Sequence, residues 1–293
     1  MAVFKGSCTA MITPFTETGI DFDAFGKFID FQIEGGIDAL LILGTTGEPP
    51  TITGEERDDI IRFAIDKINK RVPAIVSTGT NNTKTAIEYS KKAQDMGADM
   101  LMAVTPYYNK TTPDGLIAHY NAIGDAVSLP IMVYNVPART GLNLLPAVFA
   151  RIAEHKNIVA IKEASGSIQQ GMETMRLSKG KADLYSGEDA LTVPLMAMGA
   201  MGIVSVASNI IPGDIHNLCA TAFAGDYPAA AALQQKLNPL VDALFSETSP
   251  IPVKTAAKLL GLCDDIVRLP LCPITDGGRE RLIAAMQAYG LSV

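Results

Sequence analysis

The sequence predicts an α/β protein with a (β/α)8 barrel, the TIM-barrel fold, followed by a C-terminal helical extension. Short apolar runs alternate with amphipathic segments of helical period, which is typical of a parallel sheet. Eight such runs are present, and a doubly wound sheet rarely needs that many regular repeats. The predicted strands are residues 8–13, 39–43, 74–77, 100–104, 131–134, 158–162, 184–185 and 202–206.

Helix candidates lie between the predicted strands, for example at residues 21–34 and 55–69. The second segment presents one apolar stripe of helical spacing. Its members are Ile60, Ile61, Ala64, Ile65 and Ile68. Thr53 and Glu56 precede the stripe with the spacing of a capping box, in which each side chain accepts a hydrogen bond from the other residue's backbone. The helix is therefore predicted to begin there.

The last part of the chain has no strand-like alternation. It contains three helical stretches, at residues 228–245, 252–260 and 276–289, and no linker rich in Pro, Gly and Ser precedes them. The expected organisation is a catalytic barrel at residues 1–225 and a helical extension at residues 226–293. A length of 293 residues fits one large unit of this kind.

The composition is that of a globular protein. Hydrophobic residues make up 48% of the chain and charged residues 19%, without charge runs, which disfavours disorder and a coiled coil. The net charge of -7 and the scattered lysines and arginines argue against nucleic-acid binding. The first residues lack the basic and apolar regions of a signal peptide, and no apolar run reaches the length of a membrane span. We therefore expect a cytoplasmic protein without membrane contact.

The spacing of the cysteines and histidines gives no metal motif. The four cysteines show no CxxC spacing and the three histidines are far apart, so we expect reduced thiols and no bound metal. Neighbouring residues point apart on a helix, so Glu154 and His155 are not predicted to act as an acid/base pair. The cysteines and the other two histidines are Cys8, Cys219, Cys263, Cys272, His119 and His216.

Lys162 is the most informative residue of the chain. It ends the apolar run at residues 158–161, and a loop containing Ser165 and Gly166 follows. An apolar strand carries a cation only where a pocket or a counter-ion receives it, and loss of water favours the neutral, nucleophilic amine. Such a lysine is suited to forming a Schiff base with a carbonyl substrate. The alternative is a lysine whose ammonium reaches solvent at the strand end.

Polar and aromatic residues follow three other predicted strands, at the barrel end where active sites form. After the second strand, Gly44-Thr45-Thr46-Gly47-Glu48 predicts a tight turn whose N–H groups and hydroxyls suit a small carboxylate. Tyr134 and Arg139 share the loop after the fifth strand, and Tyr107 and Tyr108 follow the fourth. The alternatives are an ordinary turn, tyrosines that pack in a core or an interface, and a surface arginine.

Together these motifs resemble those of the dihydrodipicolinate synthase family over essentially the whole chain. The wider superfamily of pyruvate-dependent class I aldolases, which includes N-acetylneuraminate lyase, shares the lysine, the strand-five tyrosine and a Gly-x-x-Gly-Glu turn. Thr45, Thr46 and Arg139 favour the synthases. The segments that carry the resemblance are residues 44–48, 105–109, 134–140, 161–166, 185–189 and 250–254.

The resemblance implies a condensation of pyruvate with L-aspartate-4-semialdehyde to 4-hydroxy-tetrahydrodipicolinate, the first committed step of the diaminopimelate route to lysine. Lys162 would attack the ketone of pyruvate to form an imine, which becomes an enamine and adds to the aldehyde. The iminium nitrogen is the electron sink for this chemistry, so neither a metal nor another cofactor is expected.

The resemblance also implies a proton relay and an assembly. Tyr134 would be the proton shuttle, hydrogen-bonded to the hydroxyl of Thr46, and Tyr108 would complete the relay. In the family the tyrosine at the position of Tyr108 reaches into the site of a neighbouring subunit. A homotetramer, built as a dimer of dimers, is the expected assembly.

Substrate-binding roles follow from the same motif positions. The N–H groups of Thr45 and Thr46 would hold the carboxylate of pyruvate. Arg139 would hold the carboxylate of the semialdehyde by a two-pronged contact. Gly187 and Val204 would line the pocket through backbone atoms.

Two further charged residues are expected to have structural roles. Glu163 follows Lys162 directly and faces the opposite side of the strand. Lys254 begins a predicted helix after Pro252, where a surface or capping role is expected.

Two alternative functions stay open. A related pyruvate-dependent aldolase, such as N-acetylneuraminate lyase or a 2-keto-3-deoxy-sugar acid aldolase, would use the same lysine with another aldehyde. A catalytically silent barrel would be expected to lack Lys162, Tyr134 or Thr46, and all three are present.

Departures from the family pattern predict weak or absent inhibition by L-lysine. Lysine-inhibited members have small residues after the Gly-x-x-Gly-Glu turn, two histidines in the next helix and a glutamate in the one after. Asn81 and Tyr107 match that pocket. Without the glutamate the lysine ammonium lacks a counter-charge, and Arg57 adds repulsion. The positions that differ hold Pro49, Pro50, Gly54, Arg57 and Thr85.

Overall fold

The computed structural model of the chain describes residues 3–293 and has eight strands at its centre. They are β1 (Gly6–Ala10), β2 (Ala39–Ile42), β3 (Ala74–Ser77), β4 (Met100–Val104), β5 (Ile131–Asn135), β6 (Ile158–Glu163), β7 (Asp183–Ser186) and β8 (Gly202–Ser205). Neighbouring strands are parallel, and β1 pairs with β8 as well as with β2, which closes the barrel. The (β/α)8 barrel predicted from the sequence is confirmed.

Helices surround the barrel and continue beyond it. They are α1 (Phe22–Glu34), α2 (Gly54–Ile68), α3 (Thr83–Asp95), α4 (Pro113–Ala126), α5 (Pro137–Thr140), α6 (Pro146–Ile152), α7 (Ile168–Ser178), α8 (Thr192–Ala197), α9 (Pro212–Phe223), α10 (Tyr227–Leu244), α11 (Ile251–Leu259) and α12 (Asp276–Tyr289). The five predicted helices are present with ends that agree within one residue. Thr53 and Glu56 form both hydrogen bonds of the predicted capping box at the start of α2.

The first strand is shorter than predicted at its C-terminal end. β1 ends at Ala10, although the apolar run continues to residue 13. The N–H of Ile12 donates to the side-chain oxygen of Asn209 over 3.0 Å, so the backbone there bonds to a side chain and leaves the strand ladder. Asn209 is distant in sequence, which is why the apolar run alone did not predict this end.

The period of two along each strand divides the apolar side chains into two cores. One set packs between the barrel and its helices, and the other fills the barrel interior and includes Cys8, Met102 and Ala160. Lys162 is two residues after Ala160, so its side chain also points into the barrel. It stands near the C-terminal end of β6, above the apolar layers.

The C-terminal helices pack back onto the barrel. Helix α10 contacts α9 and α12, and α11 contacts α12. The division into a barrel at residues 1–225 and an extension at residues 226–293 stays a prediction. Within residues 3–293, no helix is long and apolar enough to cross a lipid bilayer.

Candidate active site

Lys162 is buried at the carboxyl end of the barrel, with a relative exposure of 5%. Backbone register pairs it with Tyr134 on β5 and with Tyr185 on β7. Its ammonium nitrogen lies 4.3 Å from the centre of the Tyr134 ring. A cation is attracted to the face of an aromatic ring, so this contact favours one position of the amine. The solvent-reaching alternative for Lys162 is therefore wrong.

The segment from Gly44 to Glu48 forms the predicted tight turn after β2. Thr45, Thr46 and Gly47 make one turn of 3-10 helix, closed by hydrogen bonds from Gly47 N to Gly44 O (2.9 Å) and from Glu48 N to Thr45 O (3.1 Å). Residues that begin a helical turn have no acceptor within it. Across the described residues, the N–H groups of Thr45 and Thr46 donate no hydrogen bond. They are thus available to an anion.

The structure brings Thr45, Tyr134 and Arg139 to one cavity of about 400 Å³ over the ends of β2 to β5. Tyr107 also lines this cavity, whereas Tyr108 does not. The volume is in the range of small-molecule sites. The fifth-strand loop and the second-strand turn therefore face a common space, as their positions at the barrel end predict.

Arg139 belongs to the single-turn helix α5 rather than to an irregular loop. Pro137 begins that helix, because its fixed φ suits a first helical position. The Arg139 side chain is exposed in the single chain, and its Nη2 donates to the carbonyl of Ser249 over 3.1 Å. One nitrogen of a residue that lines the cavity is therefore anchored by the backbone of the C-terminal part of the chain.

One predicted contact of the proton relay is absent from the described residues of the single chain, and a second relay residue lies on its surface. The hydrogen bonds within residues 3–293 do not include one between the hydroxyls of Tyr134 and Thr46, although both residues are buried. Tyr108 is 91% exposed, and its φ of +68° lies in the left-handed region. Its side chain does not line the cavity of its own chain.

Gly187 gives Lys162 the space that it occupies. A Cβ atom added at Gly187 would lie 3.1 Å from Cε of Lys162 and 2.7 Å from Cβ of Ala164. Only a residue without a side chain fits at this position without movement of its neighbours. Val204 is buried among the barrel-interior side chains and pairs in register with Cys8.

Acidic side chains near Lys162 lie in a poorly solvated region. Burial raises the pKa of both Glu188 and Asp189, and the charge of Lys162 acts in the opposite direction. Asp189 accepts hydrogen bonds from the Ser205 hydroxyl and from the N–H of Val206 (3.0 Å), so it supports the loop after β8.

Glu163 has the structural role that its position on the strand predicts. It faces away from Lys162 and is buried, with a relative exposure of 3%. Its carboxylate accepts hydrogen bonds from Asn135 Nδ2 (3.2 Å) and from Ser165 N (2.7 Å). Glu163 thus links β5 to the loop that follows β6.

The expected surface or capping role of Lys254 is wrong. Its side chain has 0% exposure, and its ammonium lies 2.8 Å from Oε1 of Glu48, the last residue of the turn. Burial lowers the pKa of Lys254, and the carboxylate of Glu48 acts in the opposite direction. In the sequence, only the apolar residues before Lys254 indicate that its side chain is buried. They do not identify Glu48 as its partner.

A buried lysine beside a tyrosine at the end of a barrel strand, in a barrel that also has a turn with free N–H groups at this end, is typical of the class of (β/α)8 lyases and aldolases that form Schiff bases. Within that class, the chain belongs to the dihydrodipicolinate synthetase family, because a sequence model of this family matches residues 3–289.

Close relatives carry a consistent name. The chain is 49% identical to the 4-hydroxy-tetrahydrodipicolinate synthase of Geobacter sulfurreducens, over 99% of this chain and 100% of the relative. It is 47% identical to the enzyme of that name from Clostridium perfringens, with 99% of both chains covered. These identities extend over the barrel and the C-terminal helices together.

Solved structures agree with this assignment. The dihydrodipicolinate synthase of Thermotoga maritima has a TM-score of 0.97 and 40% identity, with 99% of this chain and 100% of that chain covered. The synthase of Acinetobacter baumannii in complex with pyruvate has a TM-score of 0.96 and 42% identity, covering 98% and 99%. The enzyme of Cyanidioschyzon merolae with lysine bound has a TM-score of 0.96 and 38% identity, covering 100% of both chains.

Proposed function

We propose that the chain is a 4-hydroxy-tetrahydrodipicolinate synthase, which condenses pyruvate with L-aspartate-4-semialdehyde at the first committed step of diaminopimelate and lysine biosynthesis. The observation that carries this proposal is the position of Lys162, buried at the end of β6 with its ammonium 4.3 Å from the Tyr134 ring centre. The family membership and the names of the relatives support it. A cytoplasmic location is part of the proposal.

The first half of the proposed reaction forms the enamine. The amine of Lys162 adds to the ketone carbon of pyruvate, and loss of water gives an imine. Removal of a methyl proton then gives the enamine, with the electron pair accepted by the iminium nitrogen. The free N–H groups of Thr45 and Thr46 hold the pyruvate carboxylate, and the hydroxyl of Tyr134 transfers protons. This covalent intermediate needs no separate cofactor.

The second half forms the carbon–carbon bond and releases the enzyme. The enamine carbon attacks the aldehyde of the semialdehyde, whose carboxylate binds Arg139. The amino group of the semialdehyde then attacks the imine carbon and displaces Lys162, which closes the ring. Gly187 and Val204 line the pocket through their backbone atoms. Fixing both substrates in this way converts encounters in solution into a reaction between bound groups.

The exposed aromatic Tyr108 supports a site that is completed by a second copy of the chain. A tyrosine that is 91% exposed and held in a left-handed backbone conformation is poorly explained by the single chain. Large exposed aromatic side chains are frequent at protein interfaces. We propose that Tyr108 enters the site of a neighbouring subunit in a dimer of dimers, where it completes the relay from Tyr134 and Thr46.

A direct assay distinguishes this function from that of a related aldolase. Purified protein is incubated with pyruvate and either L-aspartate-4-semialdehyde or sugar-derived aldehydes, and the products are identified by mass spectrometry. We expect the cyclic dicarboxylate from the semialdehyde at a kcat/KM far above that for any sugar aldehyde. Preferred turnover of a sugar aldehyde would establish a related aldolase instead, and no turnover at all would indicate a silent barrel.

A further inference from the structure

Lys254 is buried within a full set of hydrogen-bond acceptors. Its ammonium donates to Oε1 of Glu48 over 2.8 Å, to the carbonyl of Thr13 over 3.0 Å and to the carbonyl of Ile266. The side chains of Lys254 and Glu48 are 0% and 1% exposed. Desolvation of two charges offsets much of their attraction, so such a pair is weak evidence for stability. The better explanation of the pair is that it fixes the position of the residues around it.

The ion pair acts on the turn that follows β2. Glu48 ends this turn with a φ of +56°, in the left-handed region that residues with side chains rarely adopt. Its second carboxylate oxygen accepts from the N–H of Arg268 over 3.2 Å. Thr13, which also binds Lys254, donates its hydroxyl to the carbonyl of Gly47 over 2.9 Å. The C-terminal extension thus holds Glu48 directly and Gly47 through Thr13.

The segment that contains Lys254 also contacts Arg139, another residue that lines the cavity. The carbonyl of Ser249 accepts the hydrogen bond from Nη2 of Arg139 over 3.1 Å. Ser249 is itself buried, with a relative exposure of 6%. Residues 249–254, which we call the brace, therefore contact Arg139 directly, and they contact the turn that carries Thr45 and Thr46 through its last residue, Glu48.

We propose that Lys254 is a positioning residue for the reaction, and that its ion pair with Glu48 allows the brace to hold Thr45 and Thr46 in place for pyruvate. This inference rests on the proposed function, because it takes the turn as the pyruvate site. Without Lys254, Glu48 would be an unpaired buried carboxylate, and the turn would move to let water reach it. A displacement of about 1 Å in a substrate-positioning group is enough to cost roughly 100-fold in rate.

Two substitutions and a matched control test the inference. Lys254→Met removes the charge, and Glu48→Gln keeps the shape of the carboxylate while neutralising it. Lys258→Met is the control, because Lys258 lies one turn further along α11 and pairs with Asp264 and Asp265 at the surface. KM for pyruvate and the rate of borohydride trapping with pyruvate alone are measured on protein whose folding is checked by circular dichroism. KM is informative because it does not depend on the fraction of active protein.

We expect KM for pyruvate to rise by about tenfold or more, and trapping to slow by a similar factor, in both test variants but not in the control. The Glu48→Gln/Lys254→Met double variant should raise KM no further than Lys254→Met alone, because both substitutions break the same ion pair. Values within about twofold of wild type in Glu48→Gln would overturn the inference, whatever happens to thermal stability. If Lys254→Met does not fold, the KM of Glu48→Gln alone decides whether the inference holds.

The test also separates failure of the brace from failure of the proposed function. The wild-type protein is examined first, with pyruvate alone and then with both substrates. Trapping of pyruvate without product formation would contradict the proposed second substrate. The positioning role of Lys254 would then still be tested by the trapping rates of the variants. Absence of trapping in the wild type would contradict the proposed function and, with it, the role assigned to Lys254.

Discussion

Tyr134 and Lys162 are register partners on β5 and β6, and the ammonium of the lysine lies 4.3 Å from the centre of the tyrosine ring. The contact is therefore fixed by the hydrogen bonding of the barrel and not by a flexible loop. Both side chains are 5% exposed. The tyrosine therefore lies beside the nitrogen that is proposed to react, which supports the proposed use of its hydroxyl in proton transfer.

Arg139→Ala should impair use of the semialdehyde far more than imine formation. The guanidinium is proposed to bind the carboxylate of the second substrate, while pyruvate binds at the turn. Because Arg139 is exposed in the single chain, we expect a loss of about 2 kcal/mol, or roughly thirtyfold in kcat/KM for the semialdehyde. Arg151→Ala, which removes a surface ion pair with Asp114, is the control. An equal loss in borohydride trapping and in semialdehyde turnover would refute the role of Arg139.

Mixed assemblies test whether Tyr108 acts on the neighbouring subunit. Tyr108→Phe and Lys162→Ala proteins should each have little activity. If Tyr108 acts across an interface, a hybrid dimer contains one site with an intact Lys162 and an intact partner tyrosine, so activity should return on mixing. The subunits carry different tags so that hybrids are isolated before assay. Verified hybrids without recovered activity would show that Tyr108 acts within its own chain.

L-Lysine should inhibit this enzyme weakly or not at all. Arg57 is buried, donates to the carbonyl of Ser77 and lies 4.3 Å from the centre of the Tyr89 ring, on the wall of the main cavity. Burial lowers its pKa to about 10, so it keeps its positive charge near neutral pH. That charge repels the lysine ammonium, and Thr85 supplies no counter-charge.

Titration of L-lysine at subsaturating pyruvate measures the strength of inhibition directly. We expect affinity to be reduced more than about tenfold relative to a pocket with a carboxylate, an effect of roughly 1.4 kcal/mol. The Arg57→His/Thr85→Glu variant restores the family pattern at two positions and should gain sensitivity. Half-inhibition of the wild type below about a millimolar would show that the substitutions do not have the proposed effect.

The pair between Glu56 and Arg268 should stabilise the fold only above acidic pH. Arg268 donates to both carboxylate oxygens over 2.8 and 2.6 Å, and this contact lowers the pKa of Glu56 from 4.5 to about 2. A carboxyl group whose pKa is lower in the folded than in the unfolded state stabilises the fold at pH values above its unfolded-state pKa. For Glu56 this stabilisation is lost as the pH falls from about 4.5 through about 2. The pair is a quarter exposed (24% for each side chain), so we expect about 1 to 2 kcal/mol.

Urea unfolding of Glu56→Gln and wild type at several pH values checks this window. Glutamine preserves the capping box, so the substitution isolates the charge. The exposed neighbour Glu55 provides the matched control, Glu55→Gln. A stability difference for Glu56→Gln that is the same at pH values on both sides of the window would contradict the assignment.

The sequence predicted the features that depend on local pattern. Apolar runs identify all eight strands. The alternation of side chains along β6 places Lys162 inside the barrel and Glu163 outside it. Features that depend on distant partners were missed. The end of β1 is set by the Asn209 side chain, and Lys254 pairs with Glu48, which is 206 positions away in the sequence. Such pairings follow from the closure of the barrel, which no local pattern records.

Borohydride reduction in the presence of pyruvate is the most direct test of the account, because it asks whether Lys162 forms the covalent intermediate. Intact-mass analysis should show one pyruvate-derived adduct per chain, and peptide spectra should locate it on Lys162. Lys254→Arg and Lys162→Arg serve as controls for the two buried lysines, and only the second should abolish the adduct. An adduct on another lysine, or none with folded wild-type protein, would contradict the proposed mechanism.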